Sequence, residues 1–231
     1  KEQQLPLTGP HLIIAPLTVV DNWSQEFAKF CPSMKIIKYI GKREEREVIR
    51  NTIIDTIVAH KQKEQGTVAF DVLVTSYDMI LSDVEFLDKF MWHCCIVDEG
   101  HRLKNHTSVL YTTLLKQYKT FARFLLTGTP VHNSIAELWS LLHFIMPKLF
   151  TDLIMFQRAF TPEHVNELHD VIRPFILRRR KSEVLRDLPA KHESILYTKL
   201  TQMQKKFYKG ILTKDKNAFG TKQKRALNNS K

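Results

Sequence analysis

The sequence has few of the patterns that build metal or disulfide sites. Its three cysteines include no Cys-x-x-Cys pair, and its ten histidines form neither His-Glu-x-x-His nor a zinc-finger spacing. These absences exclude the common zinc sites, and we predict no zinc. Cys94 and Cys95 lie inside an apolar run, which indicates small buried residues in a reducing compartment.

Long apolar runs are also missing. No stretch reaches the roughly eighteen apolar residues that a membrane-spanning helix needs, and the N-terminal KEQQLPLTGPH lacks the apolar centre of a signal peptide. We therefore expect a protein that has no membrane partner and is not secreted.

Positive charge, in contrast, is in excess. The 231 residues hold 35 Lys and Arg against 24 Asp and Glu, which is a formal net charge of +11. This balance favours a polyanionic partner such as nucleic acid, but a soluble protein that is merely basic fits it too. With 43% hydrophobic residues, the chain can bury the core of one main domain plus an appendage.

Short runs of Ile, Val and Leu alternate with longer amphipathic segments, which is typical of an α/β fold with a parallel sheet. The predicted strands are HLIIAP, KIIKYI, FDVLVTSY, CCIVDE and FARFLLTGT. The predicted helices are TVVDNWSQEFAKF, REEREVIRNTIIDTIVAHKQ, SVLYTTLLKQY and SIAELWSLLHFIM. Ligands gather at the carboxyl ends of the strands in such a sheet, so motifs at those ends are candidates for function.

Helical spacing predicts one apolar face on each of the first two helices. Trp23, Phe27 and Phe30 share a face of the first, which makes a core position the simplest interpretation of Trp23. The second helix has an apolar face formed by Ile53, Ile54, Ile57 and Val58.

The alternation ends after Pro147. The next segment predicts aromatic-bearing helices and then the basic run ILRRRKSEVLRDLP, followed by one more strand, ESILYTKL, one more helix, TQMQKKFYKGILTKDKNAF, and a flexible charged tail. We expect a sheet domain over residues 1–147, a helical protrusion and brace over 148–190, and the last strand, helix and tail over 191–231.

Two adjacent carboxylates, Asp98 and Glu99, follow directly on the apolar residues 94–97, where a buried strand emerges into a loop. A nucleotide hydrolase needs this placement, because one carboxylate can hold Mg²⁺ through water while its neighbour polarises the attacking water. A solvated acidic pair is also common at the end of a strand. The pair alone leaves both interpretations open.

Further motifs stand in a characteristic order around this pair. IIAPLTVVDNW and VTSYDMI precede DEGHRLKN, and LLTGTP follows it. Together they resemble the motifs of superfamily-two helicases, with DEGH similar to the Walker B box. NSIAELWSLLHFIMPKLF and PFILRRRKSEVLRDLPAK are similar to segments of Swi/Snf-like chromatin-remodelling ATPases, and QKKFYKGILTKD to the imitation-switch and amplified-in-liver-cancer types. The resemblance covers Gly9 to about Phe219.

The resemblance implies a RecA-like first ATPase lobe that uses ATP and Mg²⁺ to move along double-stranded DNA past nucleosomes in the nucleus. Histones and remodelling-complex subunits would be further partners. Carried over to this sequence, Asp98 binds Mg²⁺ through water and Glu99 activates the hydrolytic water. His101 is counted with these catalytic residues, and it would lie between the nucleotide site and the DNA cleft, where it couples hydrolysis to movement.

Residues around the next strand end would couple hydrolysis to movement, namely Thr127, Gly128 and Thr129. This role too is implied by the resemblance. From the residues alone, ordinary turn chemistry around Gly128 and an exposed loop position for His101 are the simpler explanations.

The expected contacts to the DNA phosphate backbone are Pro16, Thr18, Asn22, Ser76, Tyr77, Arg102 and Lys104, and Trp23 belongs to the same motif as the first three. Small hydroxyl side chains and amides at helix starts suit phosphates without reading bases. A motor that moves along DNA of any sequence needs contacts that do not depend on the bases.

A basic run consists of Arg178, Arg179, Arg180 and Lys181. In the resembling family this region braces the two lobes, and contact with DNA or an acidic histone surface would depend strongly on salt. A solvated or acid-paired helix face explains such a run equally well.

Two parts of that family's motor are missing from the 231 residues. No loop of the form GxxxxGK[ST] is present to cradle phosphates, and the arginine-bearing second lobe is absent. We therefore expect a piece of a two-lobed motor, cut downstream of its phosphate loop, that hydrolyses no ATP by itself. DEGH also replaces the more usual DEAH, and Val131-His132-Asn133 replaces Leu-Gln-Asn.

Two alternatives remain open. One is a related translocase that acts in repair or in transcription-complex removal. The other is a non-catalytic DNA- or nucleosome-binding module derived from such a lobe.

Overall fold

The computed structural model describes residues 10–62, 70–128, 134–160, 165–179 and 193–214. These residues fall into two compact units that divide between Leu177 and Arg178. The segment from Lys148 to Leu177 therefore belongs to the same unit as the sheet.

Five parallel strands form the sheet of the first unit, which confirms the predicted fold class. In chain order they are β1 (His11–Ala15), β2 (Ile36–Tyr39), β3 (Val72–Ser76), β4 (Trp92–Val97) and β5 (Thr120–Leu125). Across the sheet their order is β2-β3-β1-β4-β5. Because all the strands run in one direction, their carboxyl ends meet at one edge.

The helices flank this sheet. Those of the first unit are α1 (Val20–Phe30), α2 (Arg43–Gln62), α3 (Tyr77–Ser82), α4 (Val84–Leu87), α5 (Val109–Lys116), α6 (Ile135–Ile145), α7 (Leu153–Ala159) and α8 (Val165–Ile172). Short 3₁₀ turns span Leu17–Val19 and Gly100–Leu103. The sequence did not predict α3 and α4, since six and four residues are too few for helical periodicity. Within the described ranges, no helix combines the length and apolar character needed to cross a membrane.

Apolar side chains cover both faces of the sheet. Along β1, Leu12 and Ile14 enter one cluster, while Ile13 and Ala15 enter the cluster on the opposite face. This alternation follows from the period of two in a strand. All four side chains are fully buried, and burial of a side chain as large as leucine stabilises the fold by about 2 kcal/mol.

The predicted helix faces are partly wrong. On α1, Trp23 and Phe27 pack against the sheet, but Phe30 ends the helix and is 67% exposed, with the Lys29 ammonium over its ring. On α2, the residues facing the core are Ile49, Ile53 and Ile57, whereas Ile54 and Val58 are about half exposed. A step of one residue rotates the side chain by about 100° around the helix, which takes the latter two away from the core.

A separate apolar cluster joins α6 to the helices that follow Pro147. Leu138, Trp139 and Leu142 of α6 pack with side chains from that segment, namely Phe150, Phe156 and Leu168. Helices with aromatic residues were predicted in this segment. Two helices, α7 and α8, are present, and α7 contains Phe156, whereas α8 contains no Phe, Tyr or Trp. The cluster explains why these helices share a unit with the sheet.

In the second unit the described residues are 178–179 and 193–214. The predicted helix is present as α9 (Gln202–Leu212), and Thr201 and Gln204 form a capping box at its start. The predicted strand ESILYTKL is wrong, because residues 193–200 form neither helix nor strand. Leu196 and Tyr197 are exposed there, and no described segment pairs with their backbone as a strand requires. The predicted flexible tail lies outside the described residues.

Candidate nucleotide and DNA site

Three neighbouring strand ends, those of β1, β4 and β5, bring predicted motifs together. Asp98 N–H donates to the Ile14 carbonyl at 2.8 Å, and Leu126 N–H donates to the Val97 carbonyl at 2.9 Å. Gly100 N–H then donates to the Leu126 carbonyl at 2.7 Å. The DEGH loop is therefore joined to the end of β1 on one side and to LTG on the other.

Asp98 is half-buried, and both of its carboxylate oxygens accept hydrogen bonds. The Trp23 indole N–H donates to Oδ2 at 3.0 Å, and the Glu99 backbone N–H donates to Oδ1 at 2.8 Å. Both donors are neutral, and among the described residues no cationic side chain pairs with Asp98. The negative charge is thus oriented, and no cation from the described part of the chain neutralises it.

This donor set fits Mg²⁺. The described residues contain no group of three or more His, Cys, Asp or Glu that could enclose a metal ion. Mg²⁺ does not need such a group, because it keeps several waters and is held by one or two carboxylates together with substrate phosphates. A carboxylate has about four lone-pair positions, so the two used on Asp98 leave others for water.

Glu99 has a left-handed backbone, with φ 51° and ψ 47°, directly after the strand. Conformations of this kind cost about 1–3 kcal/mol in a non-glycine residue and cluster at functional sites. Its Oε2 lies 3.2 Å from His101 Nδ1, within ion-pair distance but without hydrogen-bond alignment, and both side chains are half exposed. The carboxylate of Glu99 is therefore accessible to water while its neighbour is held in place.

Tyr77, at the end of β3, supports the same loop. Its ring is buried, and its hydroxyl donates to the Asp98 carbonyl. Burial also raises the pKa of this phenol, which keeps the hydroxyl protonated as a donor. The Arg102 guanidinium lies over the Tyr77 ring, 4.2 Å from its centroid. Tyr77 thus links β3 to the acidic loop.

The predicted DNA contacts divide into exposed and buried residues. Thr18, Asn22, Arg102 and Lys104 are exposed, whereas Pro16 is half-buried and Ser76 and Tyr77 are only 2% and 3% exposed. Lys104 Nζ lies 3.4 Å from Glu137 Oε1. The structure therefore presents four of the seven side chains to solvent at this edge, and it directs the Trp23 donor inward to Asp98.

Gly100 permits the close approach of the two loops. A Cβ at this position would lie 2.9 Å from Leu125 Cβ, closer than real side chains come. At Gly128, in contrast, an added Cβ would have no neighbour within 4 Å among the described residues. The glycine that replaces the more usual alanine of DEAH is thus in close contact with the end of β5. This contact was not visible in the motif itself.

The structure describes only some of the remaining predicted residues. Thr127 and Gly128 are exposed beside Leu126, and Arg178 and Arg179 are exposed at the start of the second unit. Thr129, Arg180, Lys181 and the residues 131–133 lie outside the described ranges.

A second charged cluster lies on the β2 side of the sheet and was not predicted. Asp83, between α3 and α4, accepts hydrogen bonds from the Tyr39 hydroxyl at 2.9 Å, from Arg46 Nε at 2.6 Å and from Arg50. Arg46 also donates to the Gly41 carbonyl at 2.7 Å. Asp83 is more than 30 positions from Tyr39, Arg46 and Arg50, and no motif links them, so only the fold assembles the cluster.

Comparisons with known proteins agree with the geometry. All 231 residues match the family described as the SNF2-related domain. The chain is 41% identical to the ISWI chromatin-remodeling complex ATPase CHR11 of Arabidopsis thaliana, over 96% of this chain and 21% of that protein. It is 40% identical to the chromodomain-helicase-DNA-binding protein 1-like of Danio rerio, over 95% of this chain and 21% of that protein.

A solved structure is similar as well. The SWI2/SNF2 ATPase core of Sulfolobus solfataricus in complex with dsDNA matches with a TM-score of 0.61 and 29% identity, covering 90% of this chain and 42% of that one. The predicted RecA-like lobe and the resemblance to Swi/Snf-like remodelling ATPases are confirmed. The chain spans about a fifth of the length of the curated relatives. It belongs to the SNF2-related family.

Proposed function

We propose that these residues form part of the first lobe of an ATP-dependent translocase that moves along double-stranded DNA and remodels nucleosomes in the nucleus. The relatives named as chromatin-remodelling ATPases and the solved neighbour bound to dsDNA support this function. The observation that carries it is the acidic pair Asp98-Glu99, which follows β4 directly and lies beside LTG, with no cationic partner of Asp98 among the described residues. Histones and remodelling-complex subunits are the proposed further partners.

In this proposal the two carboxylates have different roles. Asp98, oriented by two neutral donors, holds Mg²⁺ through water. When bound there, Mg²⁺ would supply charge neutralisation to the transferring phosphoryl group. Glu99, half exposed, orients the attacking water and accepts its proton, and His101 lies beside that carboxylate.

DNA contact rests on the exposed polar residues at the same edge. The exposed residues that would contact phosphates are Thr18 in the turn before α1, Asn22 near the start of α1, and Arg102 and Lys104 after the acidic pair. Pro16 lies at the turn before α1, where its carbonyl accepts a hydrogen bond from Val19 N–H. Ser76 and Tyr77 are buried beneath the exposed residues and would support them from inside the domain. The net charge of +11 favours such a contact and predicts strong salt dependence.

Movement would be transmitted through the end of β5, where Thr127, Gly128 and Thr129 follow the strand. The hydrogen bond from Gly100 to Leu126 supports this role, because it ties the acidic loop to that segment. The basic run Arg178, Arg179, Arg180 and Lys181 is proposed as the brace between lobes.

The test is DNA-stimulated phosphate release by the natural protein that contains these residues. Glu99→Gln keeps the shape of the side chain but removes the base, so we expect the rate to fall by about 100-fold or more. Glu47→Gln, at an exposed position of α2, is the matched control and should leave the rate unchanged. An undiminished rate in Glu99→Gln contradicts the proposed catalytic role.

The 231 residues alone provide a second comparison. They contain no GxxxxGK[ST] loop, so we expect them to release no phosphate in the presence of DNA. DNA binding by the natural protein without any phosphate release would support the non-catalytic binding module instead.

A further inference from the structure

We propose that Trp23 is a positioning residue for Asp98, and that through α1 it transmits DNA contact at Thr18 and Asn22 to the metal-binding carboxylate. The inference rests on the proposed function and deepens it. It starts from the hydrogen bond between Trp23 Nε1 and Asp98 Oδ2, two residues that are 75 positions apart in the chain.

The indole is well suited to orient a carboxylate. It has one donor and no acceptor, so the bond has a single direction. The Trp23 ring is tilted by 35° against Phe27, with ring centroids 6.1 Å apart, and packs on the apolar cluster that contains Val20. Because the ring is held by packing, the bond at Oδ2 restricts the terminal torsion of Asp98, which is otherwise broad.

Side chain and main chain of Asp98 are held by different elements. The hydroxyl of Tyr77, the first residue of α3, donates to the Asp98 carbonyl, whereas the Trp23 indole of α1 donates to the carboxylate. Loss of the indole donor therefore changes the orientation of the carboxylate while the loop keeps its anchor. This separation makes a positioning role testable apart from a structural one.

The route from DNA to the carboxylate is short. Thr18 lies in the 3₁₀ turn Leu17–Val19 that leads into α1, and Asn22 directly precedes Trp23. Both side chains are exposed. A helix moves as a stiff unit, so a phosphate held at this end of α1 would fix the indole that bonds Asp98.

Trp23→Phe and Trp139→Phe form a matched pair of variants. Both remove an indole N–H and keep an aromatic ring, but the buried Trp139 donor has no hydrogen-bond partner within the described residues. The probe is Mn²⁺ in place of Mg²⁺, titrated into the 231-residue chain and read by electron paramagnetic resonance. Broadening of the ¹⁵N-labelled indole resonances gives the location of the bound ion.

We expect Mn²⁺ to broaden the Trp23 indole signal first and Asp98→Asn to abolish this effect. Trp23→Phe should raise the Kd for Mn²⁺ by roughly 10-fold, as loss of groups that orient metal ligands generally does, while Trp139→Phe leaves it unchanged. Short duplex DNA should lower the Kd in the unaltered chain and not in Trp23→Phe.

Equal Mn²⁺ affinities in the two tryptophan variants would overturn the positioning role. Absence of Asp98-dependent binding in the unaltered chain would overturn it as well, and an unaltered response to DNA in Trp23→Phe would overturn the transmission. The proposed function fails separately, when Glu99→Gln leaves phosphate release intact. Urea unfolding of both tryptophan variants controls for loss of packing.

Discussion

Asp83 and Asp98 are both held by several hydrogen bonds, yet their surroundings differ in charge. Asp83 is 7% exposed and is bonded by two guanidinium groups and a phenol. Asp98 is half-buried at an open edge, and its two donors are neutral. A carboxylate whose charge the protein already balances stabilises the fold, whereas one with uncompensated charge is available to a cationic ligand.

The Asp83 cluster ties together the periphery of the sheet. Arg46 and Arg50 reach it from α2, Tyr39 from β2, and Asp83 itself joins α3 to α4. Burial alone would raise the pKa of Asp83, but the hydrogen bonds from Arg46, Arg50 and Tyr39 outweigh it and leave the pKa below its usual value. The cluster is thus a buried ion-pair network whose acceptors are satisfied.

The largest expected effect comes from removing Asp83. Asp83→Ala leaves Arg46 and Arg50 without their counter-charge, so we expect a loss of about 3 kcal/mol in the free energy of unfolding, measured with urea. Asp98→Ala removes no ion pair and should cost less than about 1 kcal/mol. Similar losses in the two variants would contradict the distinction between a structural and a ligand-binding carboxylate.

The pH dependence of stability should follow Asp83. Because its pKa is lowered in the folded state, the stabilisation is fully present above the unfolded pKa of 3.8 and is lost as pH falls through the folded value. Urea unfolding between pH 7 and pH 2 should therefore show the unaltered chain and Asp83→Asn converging only below about pH 4. Convergence near neutral pH would contradict this account.

The two glycines at the site allow a smaller and sharper test. Gly100→Ala places a Cβ 2.9 Å from Leu125 Cβ, so the loops must separate, and we expect a loss of about 1 kcal/mol in stability. Gly128→Ala meets no neighbouring atom within 4 Å and serves as the control. Thermal unfolding of both variants measures the difference, and a larger loss in Gly128→Ala would refute the role of close packing.

The smallest effect should come from an exposed ion pair. Lys38 Nζ lies 2.9 Å from Asp21 Oδ1, a distance similar to those in the Asp83 cluster, but both side chains are at least half exposed. Lys38→Gln should change the free energy of unfolding by less than about 0.5 kcal/mol, and the change should shrink further in salt. A cost close to that of Asp83→Ala would show that burial does not separate these pairs.

Much of the sheet could be predicted, because its strands are short, nearly continuous apolar runs that alternate along the chain with longer amphipathic segments. The apolar run before Asp98 and the motif LLTGTP both mark strand ends, and parallel strands bring their carboxyl ends together. The predicted strand over 193–200 failed for the converse reason. Apolar content alone does not make a strand when no neighbouring backbone pairs with it.

The sequence by itself determined the alternation of strands and helices, the family and the identity of the acidic pair, since local patterns and motif order carry that information. Only the tertiary structure decided that Trp23 bonds Asp98, that Asp83 gathers Tyr39, Arg46 and Arg50, and that Gly100 touches Leu125. The residues that these contacts join are separated along the chain by distances that neither the helix period nor the strand period explains. Their partners follow from the packing of helices on the sheet, which no local pattern encodes.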